Sequence, residues 1–530
     1  MGTQQTPSTR RALGPRVHVL MFLVGLMSAT ELLQSAMVSY TAAPVMGELG
    51  ASPEEYSGVA TMYAVISIIV IAKHRWLIER LGWRTFLNAS AAAFALGAIV
   101  CATAKDMTGF VAGRAIMALG GPSFFTAARV LINRILDGPT RFAGIRRLAL
   151  GLAAGTTLGP ILATLAVAYG SWRWSYGVPV AFAAIIAAVS SSHLVDEPTP
   201  QHVKTRTRPG AVIHLMLGCV LMLYALQRSV FDWYGNSGEV TTCFLAGVAL
   251  LAWFVRREAA HATPLLRLGR LGQPRYVLGL SMFALCYLFI AMVNYVMPVM
   301  LAQGLGLPLQ AIGFYLGIGS AGGILGFLLI GNLLPRLSLP QPFYLAVFGL
   351  LLGFALAMSR LSEVAAPLAD VVPGLGLFGA FVIVGLTTTA FHAYRDVQAD
   401  EAVFTHANQL KNMVSQLCTA AGIALATLIL QWRESAHWTQ LVETLDAENA
   451  TLGDVLGKLT RALTTATGEV EGRQRAIAWL GQTVTREAVM LGSLDFFQIV
   501  AAAAAVGLGG MTAWWIAAAL RARSPAAVLK

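Results

Sequence analysis

A chain that lays down one long apolar run after another has few ways to fold, and residues 17–46 set the pattern. This run carries a single acid, Glu31, near its middle. About twenty apolar residues suffice to cross the hydrocarbon core of a bilayer, so the run spans with tilt to spare. A carboxylate at that depth costs about 2.5–3.5 kcal/mol on insertion scales. The cost is met by facing a cavity or by holding a proton, which makes Glu31 a candidate proton-linked site.

Thirteen further apolar runs follow, at 56–74, 86–104, 108–133, 147–169, 175–194, 211–229, 239–255, 277–302, 309–332, 343–360, 368–391, 404–431 and 494–520. The chain is 56% hydrophobic and only 12% charged, with a mean hydropathy of +0.67, whereas soluble domains carry about 25% charged residues. Polar surface for several soluble domains is lacking. Continuous runs of this length also exclude a β-barrel, whose strands alternate over about ten residues. The fold expected is an all-α polytopic membrane protein of fourteen spans. The polar first sixteen residues and the length of the run after them do not suggest a cleavable signal peptide.

The formal charge of +11 is placed unevenly. Alternate loops hold Lys73, Arg75, Arg80 and Arg84; Arg134, Arg141, Arg146 and Arg147; Lys204, Arg206 and Arg208; and Arg256, Arg257, Arg267, Arg270 and Arg275. The same side takes Arg10, Arg11 and Arg16 of the first tail, Arg336 and Arg395, and Arg521, Arg523 and Lys530 of the last. The short loops opposite hold only Lys105, Arg173, Arg228 and Arg360. Positively charged loops stay in the cytoplasm, so both termini are expected there, in a cell's inner membrane. The basic excess is thereby a topology signal, and nucleic acid is not expected as a partner. The five cysteines show no metal-type spacing and read as small core residues.

One long hydrophilic segment, 432–493, falls on the outer side. Its Leu441, Leu445, Leu452, Val455, Leu456, Leu459 and Leu463 recur at helical spacing, which predicts one or two amphipathic helices. They would pack on the rim or dock a partner, a periplasmic adaptor among the candidates. An internal echo suggests two parallel halves. Leu77, Arg80 and Leu81 match Leu333, Arg336 and Leu337, each segment following an even-numbered span. Repeated halves with a binding site between them at mid-membrane are the usual build of secondary transporters. The organisation expected is a tail at 1–16, a six-helix half at 17–194, an inserted pair at 211–255, a second half at 277–520 and a tail at 521–530.

Residues 75–84 read R-W-L-I-E-R-L-G-W-R between spans two and three. This charge cluster resembles the loop signature of the major facilitator superfamily, G-x-L-a-D-R-x-G-x-[RK]. Glu79 stands for the family's Asp, with Arg80, Gly82 and Arg84 in register and Arg75 in place of the first glycine. In the fourth span, Gly113-Arg114 and Gly120-Gly121 resemble R-x-x-x-G-x-G-G/A, whose arginine is tied to proton movement in that family. In the fifth, Gly151, Gly155 and Gly159-Pro160 put small residues on one face and then bend the helix. They resemble the antiporter motif of the superfamily's drug exporters. Residues 171–179, with Trp172, Arg173 and Trp174, and residues 412–422 resemble two further signatures of its fourteen-span drug:proton antiporters. The fold this implies is a major facilitator fold, two six-helix bundles plus two inserted helices.

Span one departs from that family, whose acid stands nine residues before a proline. Counting back from Pro44 reaches Ser35, and Glu31 lies one helical turn earlier on the same face, with Gln34 beside it. Asn294, Asn408, Gln409 and Lys411 are further polar groups inside spans. Lys411 could neutralise Glu31, bind an anionic substrate or snorkel to the interface, and Arg129 is expected to snorkel. The resemblance implies export of small amphipathic compounds driven by protons, with Glu31 and Arg114 coupling them and Gln34, Ser35, Asn294 and Lys411 lining the cavity. No cofactor is expected beyond the coupling proton, and no enzymatic activity. A proton-coupled importer, an exporter dedicated to one metabolite, and a non-transporting sensor or scaffold are the alternatives.

Overall fold

The computed structural model describes residues 15–136, 138–196, 205, 208–261, 264–333, 339–362, 365–445, 450–467 and 469–523, and every regular element among them is helical. Fourteen helical segments are long and apolar enough to cross a membrane. The first half contains α1 (Pro15–Tyr40), α2 (Ala42–Leu49), α3 (Pro53–Leu81), α4 (Trp83–Thr103), α5 (Met107–Ile135), α6 (Gly138–Tyr169) and α7 (Gly177–His193). The run at 17–46 is thus a span plus a short helix. Pro44 explains the break, because its ring clashes with the carbonyl four residues back, at Tyr40. Conversely α3 outlasts its apolar run. It starts at a capping box of Ser52 and Glu55 and continues through the charged residues to Gly82, where φ is +83°.

The inserted pair is a hairpin, α8 (Pro209–Ala260), whose backbone leaves helical geometry at Asp232 and Asn236. Its arms close at Gly218 and Gly247, where added Cβ atoms would meet Leu251 and the backbone of Met222. It lies along α3, with Arg228 paired to Glu54 and to Asp232. The second half contains α9 (Pro274–Val299), a span split at Ala321 into α10 (Leu309–Ser320) and α11 (Gly322–Leu333), α12 (Gln341–Met358), α13 (Val372–His392), α14 (Glu401–Thr444), α15 (Ala450–Thr467) and α16 (Glu469–Arg523). Of the internal echo, residues 334–338 lie outside the described residues.

We call the side where α1 begins the basic face and the opposite side the far face. On the far face the hydrophilic segment is not a separate pair on the rim. At 1.5 Å per residue α14 and α16 run to about 66 and 83 Å, well beyond a core of about 30 Å. The last two spans therefore project from the bilayer, joined by Arg433 and His437 to Asp495 at 2.5 and 2.7 Å, with α15 packed back on α16. The tryptophan-arginine motif holds the far end of the first half. Arg173 donates to Glu48 of α2 at 2.8 Å and to the carbonyls of Ala102 and Ala104 at 3.0 and 2.6 Å, and Trp172 donates to Glu48 at 2.5 Å. Hydrogen bonds from Arg173 and then Trp172 hold the Glu48 carboxyl below its ordinary range. Such a pair keeps its full strength above that range and weakens only as pH falls through the lowered value. This node therefore stays charged near neutral pH and is no proton switch there.

Close helix contacts are made at glycines. Cβ atoms at Gly151, Gly155 and Gly159 would fall 2.2 Å from the Gly25 carbonyl oxygen, 2.6 Å from that of Ala29 and 2.7 Å from Ala36 Cβ. The three thus press one face of α6 against the backbone of α1. The opposite half approaches the same helix through Gly313 and Gly317 of α10, against Pro160, Thr164 and Ile161. Gly155→Ala should therefore destabilise the fold by about 1–3 kcal/mol, since only backbone can give way. Gly349→Ala, with open space around it, should be neutral or stabilising by up to about 1 kcal/mol. Thermal unfolding of the two variants against the parent checks both.

Candidate functional site

Three buried polar groups lie between the packed helices at successive depths. Arg114 lies about 10 Å in from the far end of α5, which is capped there by Asp106. It is 4% exposed. Its guanidinium donates to Gln34 Oε1 at 3.1 Å and stands 4.2 Å above the ring of Tyr63. Gln34 in turn donates to the Tyr63 hydroxyl at 3.2 Å. A buried cation is usually matched by an acid. Here an amide and an aromatic face serve instead, and Arg114 Nε has no partner.

Glu31 faces the other half. Gln416 of α14 donates to one of its oxygens at 3.1 Å, while its second oxygen is enclosed without a partner. The position of this carboxylate follows from the glycine contacts, which fix α1 against α6, and from Ser28, whose hydroxyl donates to the Leu148 carbonyl at 3.0 Å. Ser35, one turn further along the same face, is exposed. Asn294 is also exposed and has no side-chain hydrogen bond among the described residues, so the structure does not bring it to Glu31.

Lys411, about 15 Å along α14 from the basic face, is 3% exposed. Its ammonium lies 4.2 Å from the ring centroid of Phe125 on α5, and 5.3 and 5.6 Å from those of Phe283 and Tyr287 on α9. No carboxylate among the described residues reaches ion-pairing distance. It neither pairs with Glu31 nor snorkels to the interface. The box draws its rings from both halves.

Around the level of Lys411, neutral side chains of α14 bridge to the first half. Asn408 and Asn412 donate to Thr126 at 3.1 and 2.7 Å, and Gln409 donates to the carbonyls of Ile71 and Ala72 at 2.7 and 3.0 Å. Arg129 joins them, 8% exposed, donating to the Ala390 carbonyl at 2.9 Å. It bridges the halves rather than reaching water.

The charged loop motif works within the first half. Glu79 pairs with Arg75 at 2.6 Å and accepts from the Thr205 amide at 2.6 Å. Arg80 stacks 4.3 Å from the Trp76 ring and donates to the Thr205 carbonyl at 3.4 Å. Asp196 caps α4, accepting from the Arg84 and Thr85 amides at 2.8 and 3.2 Å and from the Thr85 hydroxyl at 2.6 Å. Partial burial opposes its charge, yet the Thr85 and Arg84 hydrogen bonds hold its carboxyl below the usual range. Gly82 is required, since a Cβ there would lie 2.2 Å from Asp196. The motif thereby ties the end of α3 to the segment after α7. Tyr63, Phe125, Phe283 and Tyr287 went unnoticed in the sequence, and Gln416 entered only as part of the 412–422 signature. Aromatic residues inside apolar runs carry no signal until a charged neighbour is placed against them.

Comparison with known proteins returns the same helical membrane fold. The chain is 22% identical to the fatty acid resistance protein FarB of Neisseria gonorrhoeae over 483 residues, 89% of this chain and 91% of FarB. It is 22% identical to the probable multidrug resistance protein EmrY of Escherichia coli K12, over 94% and 95% of the two chains. A putative multidrug resistance protein of Salmonella typhi, MdtD, is 25% identical over 74% of this chain and 82% of its own. Among solved structures, an auto-inhibited peptide transporter of the POT family superposes with a TM-score of 0.52 at 16% identity, covering 91% of this chain and 96% of that one. A bacterial homologue of the lysosomal transporter Spinster gives 0.50 at 12% identity, over 94% and 98%. These transporters share the fold, and residues 20–423 match the Major Facilitator Superfamily. The chain is a multi-pass membrane transporter, not an enzyme, and belongs to the Major Facilitator Superfamily.

Proposed function

We propose that the protein is a proton-coupled exporter of small amphipathic compounds, seated in a bacterial inner membrane with its basic face and both termini in the cytoplasm. The observation that carries this reading is Glu31. It is a carboxylate between the halves, bonded to one of them only through Gln416 and holding a second, unpartnered oxygen ready for a proton. The names of the resistance proteins FarB, EmrY and MdtD support the exporter direction, and the basic loops support the orientation.

In the cycle, Glu31 is ionised while substrate occupies the gap and protonated for the return. Moving one proton inward supplies about 2.3 kcal/mol per 100 mV and about 1.4 kcal/mol per pH unit. Protonation removes the charge that Arg114 and Lys411 sense, so the proton and the substrate act on one electrostatic centre. The packing of Gly151, Gly155, Gly159 and Pro160 on α1 and α10 keeps that centre aligned while the halves rock. No cofactor takes part. The anchored loop of Glu79, Arg80, Gly82 and Arg84 would hold the cytoplasmic end of α3 in the closed position. The projecting far-face helices, with exposed Trp438, Ile477 and Trp479, would receive a periplasmic adaptor.

In proteoliposomes Glu31→Gln should abolish proton-driven efflux, while substrate exchange at equal concentrations on both sides persists. Unchanged proton-driven efflux would exclude Glu31 as the coupling group. Arg80→Ala should slow turnover severalfold at an unchanged unfolding temperature, and a normal turnover number would reduce the loop to an anchor. Replacing Trp438, Ile477 and Trp479 together by serine should lower efflux from whole cells yet spare transport in proteoliposomes. Equal whole-cell efflux would remove the adaptor.

A further inference from the structure

We propose that the transported compound is an amphipathic organic anion, and that Lys411 is the group that holds its charge. This rests on the exporter reading and deepens it. Few charges are buried deep between the halves. Among the described residues the cations there are Arg114, Arg129 and Lys411, and Glu31 is the acid that faces them. Arg129 is engaged by the Ala390 carbonyl and Arg114 by Gln34, while Glu31 takes its hydrogen bond from Gln416. Lys411 is left with aromatic rings alone. Ring faces recover only part of the cost of taking an ammonium out of water, so Lys411 lacks an anion in direct contact.

The composition of the box says when that charge is taken up. Phe125 belongs to the first half, and Phe283, Tyr287 and Lys411 belong to the second. When the halves separate, Phe125 leaves the ammonium, which loses its nearest ring. An anion entering at that moment replaces the lost contact, and the remaining rings of Phe283 and Tyr287 offer an apolar wall for its body. Closing the halves then encloses the ion pair.

A permanently charged probe pair tests this assignment. Naphthalenesulfonate and naphthyltrimethylammonium share an aromatic body, carry opposite fixed charges and cross lipid poorly unaided. Equilibrium binding to the purified protein in nanodiscs, and transport by the same protein in proteoliposomes, are measured for both. The wild type should bind and move the sulfonate and not the trimethylammonium compound. Lys411→Met should weaken sulfonate binding by about tenfold or more, and Lys411→Arg should keep it within about threefold. Unchanged sulfonate affinity in Lys411→Met would overturn the inference. So would tighter trimethylammonium binding in that variant, which would make the box a cation site filled by a tethered lysine. If Lys411→Met fails to fold, the charge preference of the wild type and the retention in Lys411→Arg still decide. Transport of the cation alone sinks this inference and leaves the exporter reading standing. Lys411-dependent sulfonate binding without transport sinks the exporter reading and keeps the site.

Discussion

The contact between α6 and α1 is the constraint on which the site depends. Side chains larger than hydrogen at Gly151, Gly155 or Gly159 would strike the neighbouring helix, mostly its backbone. Two helices brought this close move together, so the carboxylate on α1 inherits the position of α6. The same α6 meets α10 of the opposite half through Gly313 and Gly317. One helix therefore aligns Glu31 and serves as the surface on which the halves meet. The absence of a large apolar driving force between helices in lipid makes such close backbone packing the main source of their association.

Polar groups are spent sparingly around that scaffold, and most are neutral. The gap around the level of Lys411 is bridged by amides, Asn408, Gln409 and Asn412, that reach a threonine or backbone carbonyls across the halves. Such bonds are worth about 0.6 kcal/mol each in membranes, a size that permits repeated opening. Lys411 stands among these amides on α14, and Glu31 and Arg114 lie deeper, with no ion pair among the three. A conformational change is driven only by a difference in affinity between states.

Much of the fold was legible because membrane spans announce themselves by length and composition. The fourteen runs, the short pair at 211–255 among them, read directly from the chain, whereas the charged residues 75–81 read as a loop and are the last turns of α3. Where the reading strayed, a local cause is visible. Pro44 splits the first run at Tyr40, and the apolar count alone stopped α3 at residue 74 although the helix continues to Leu81. The last two spans extend far into the hydrophilic segment, because α14 and α16 are single helices and hydropathy marks only their buried part. Glu31 and Lys411 stood out as expensive charges. Their surroundings did not, since Gln416 lies 385 positions from Glu31 and the rings around Lys411 come from two other helices, α5 and α9. Arg114 illustrates the limit most clearly. Energetics called for a partner, and the partner turned out to be an amide and a tyrosine face, groups the sequence offers in abundance.

The central claim is that Glu31 exchanges a proton as substrate comes and goes. Calorimetric titration of substrate onto the purified protein, repeated in buffers of different ionisation enthalpy, counts the protons exchanged on binding. The account predicts a net proton exchange in the wild type that vanishes in Glu31→Gln while substrate still binds. A wild type that exchanges no proton, or a Glu31→Gln variant that exchanges as many, would contradict it.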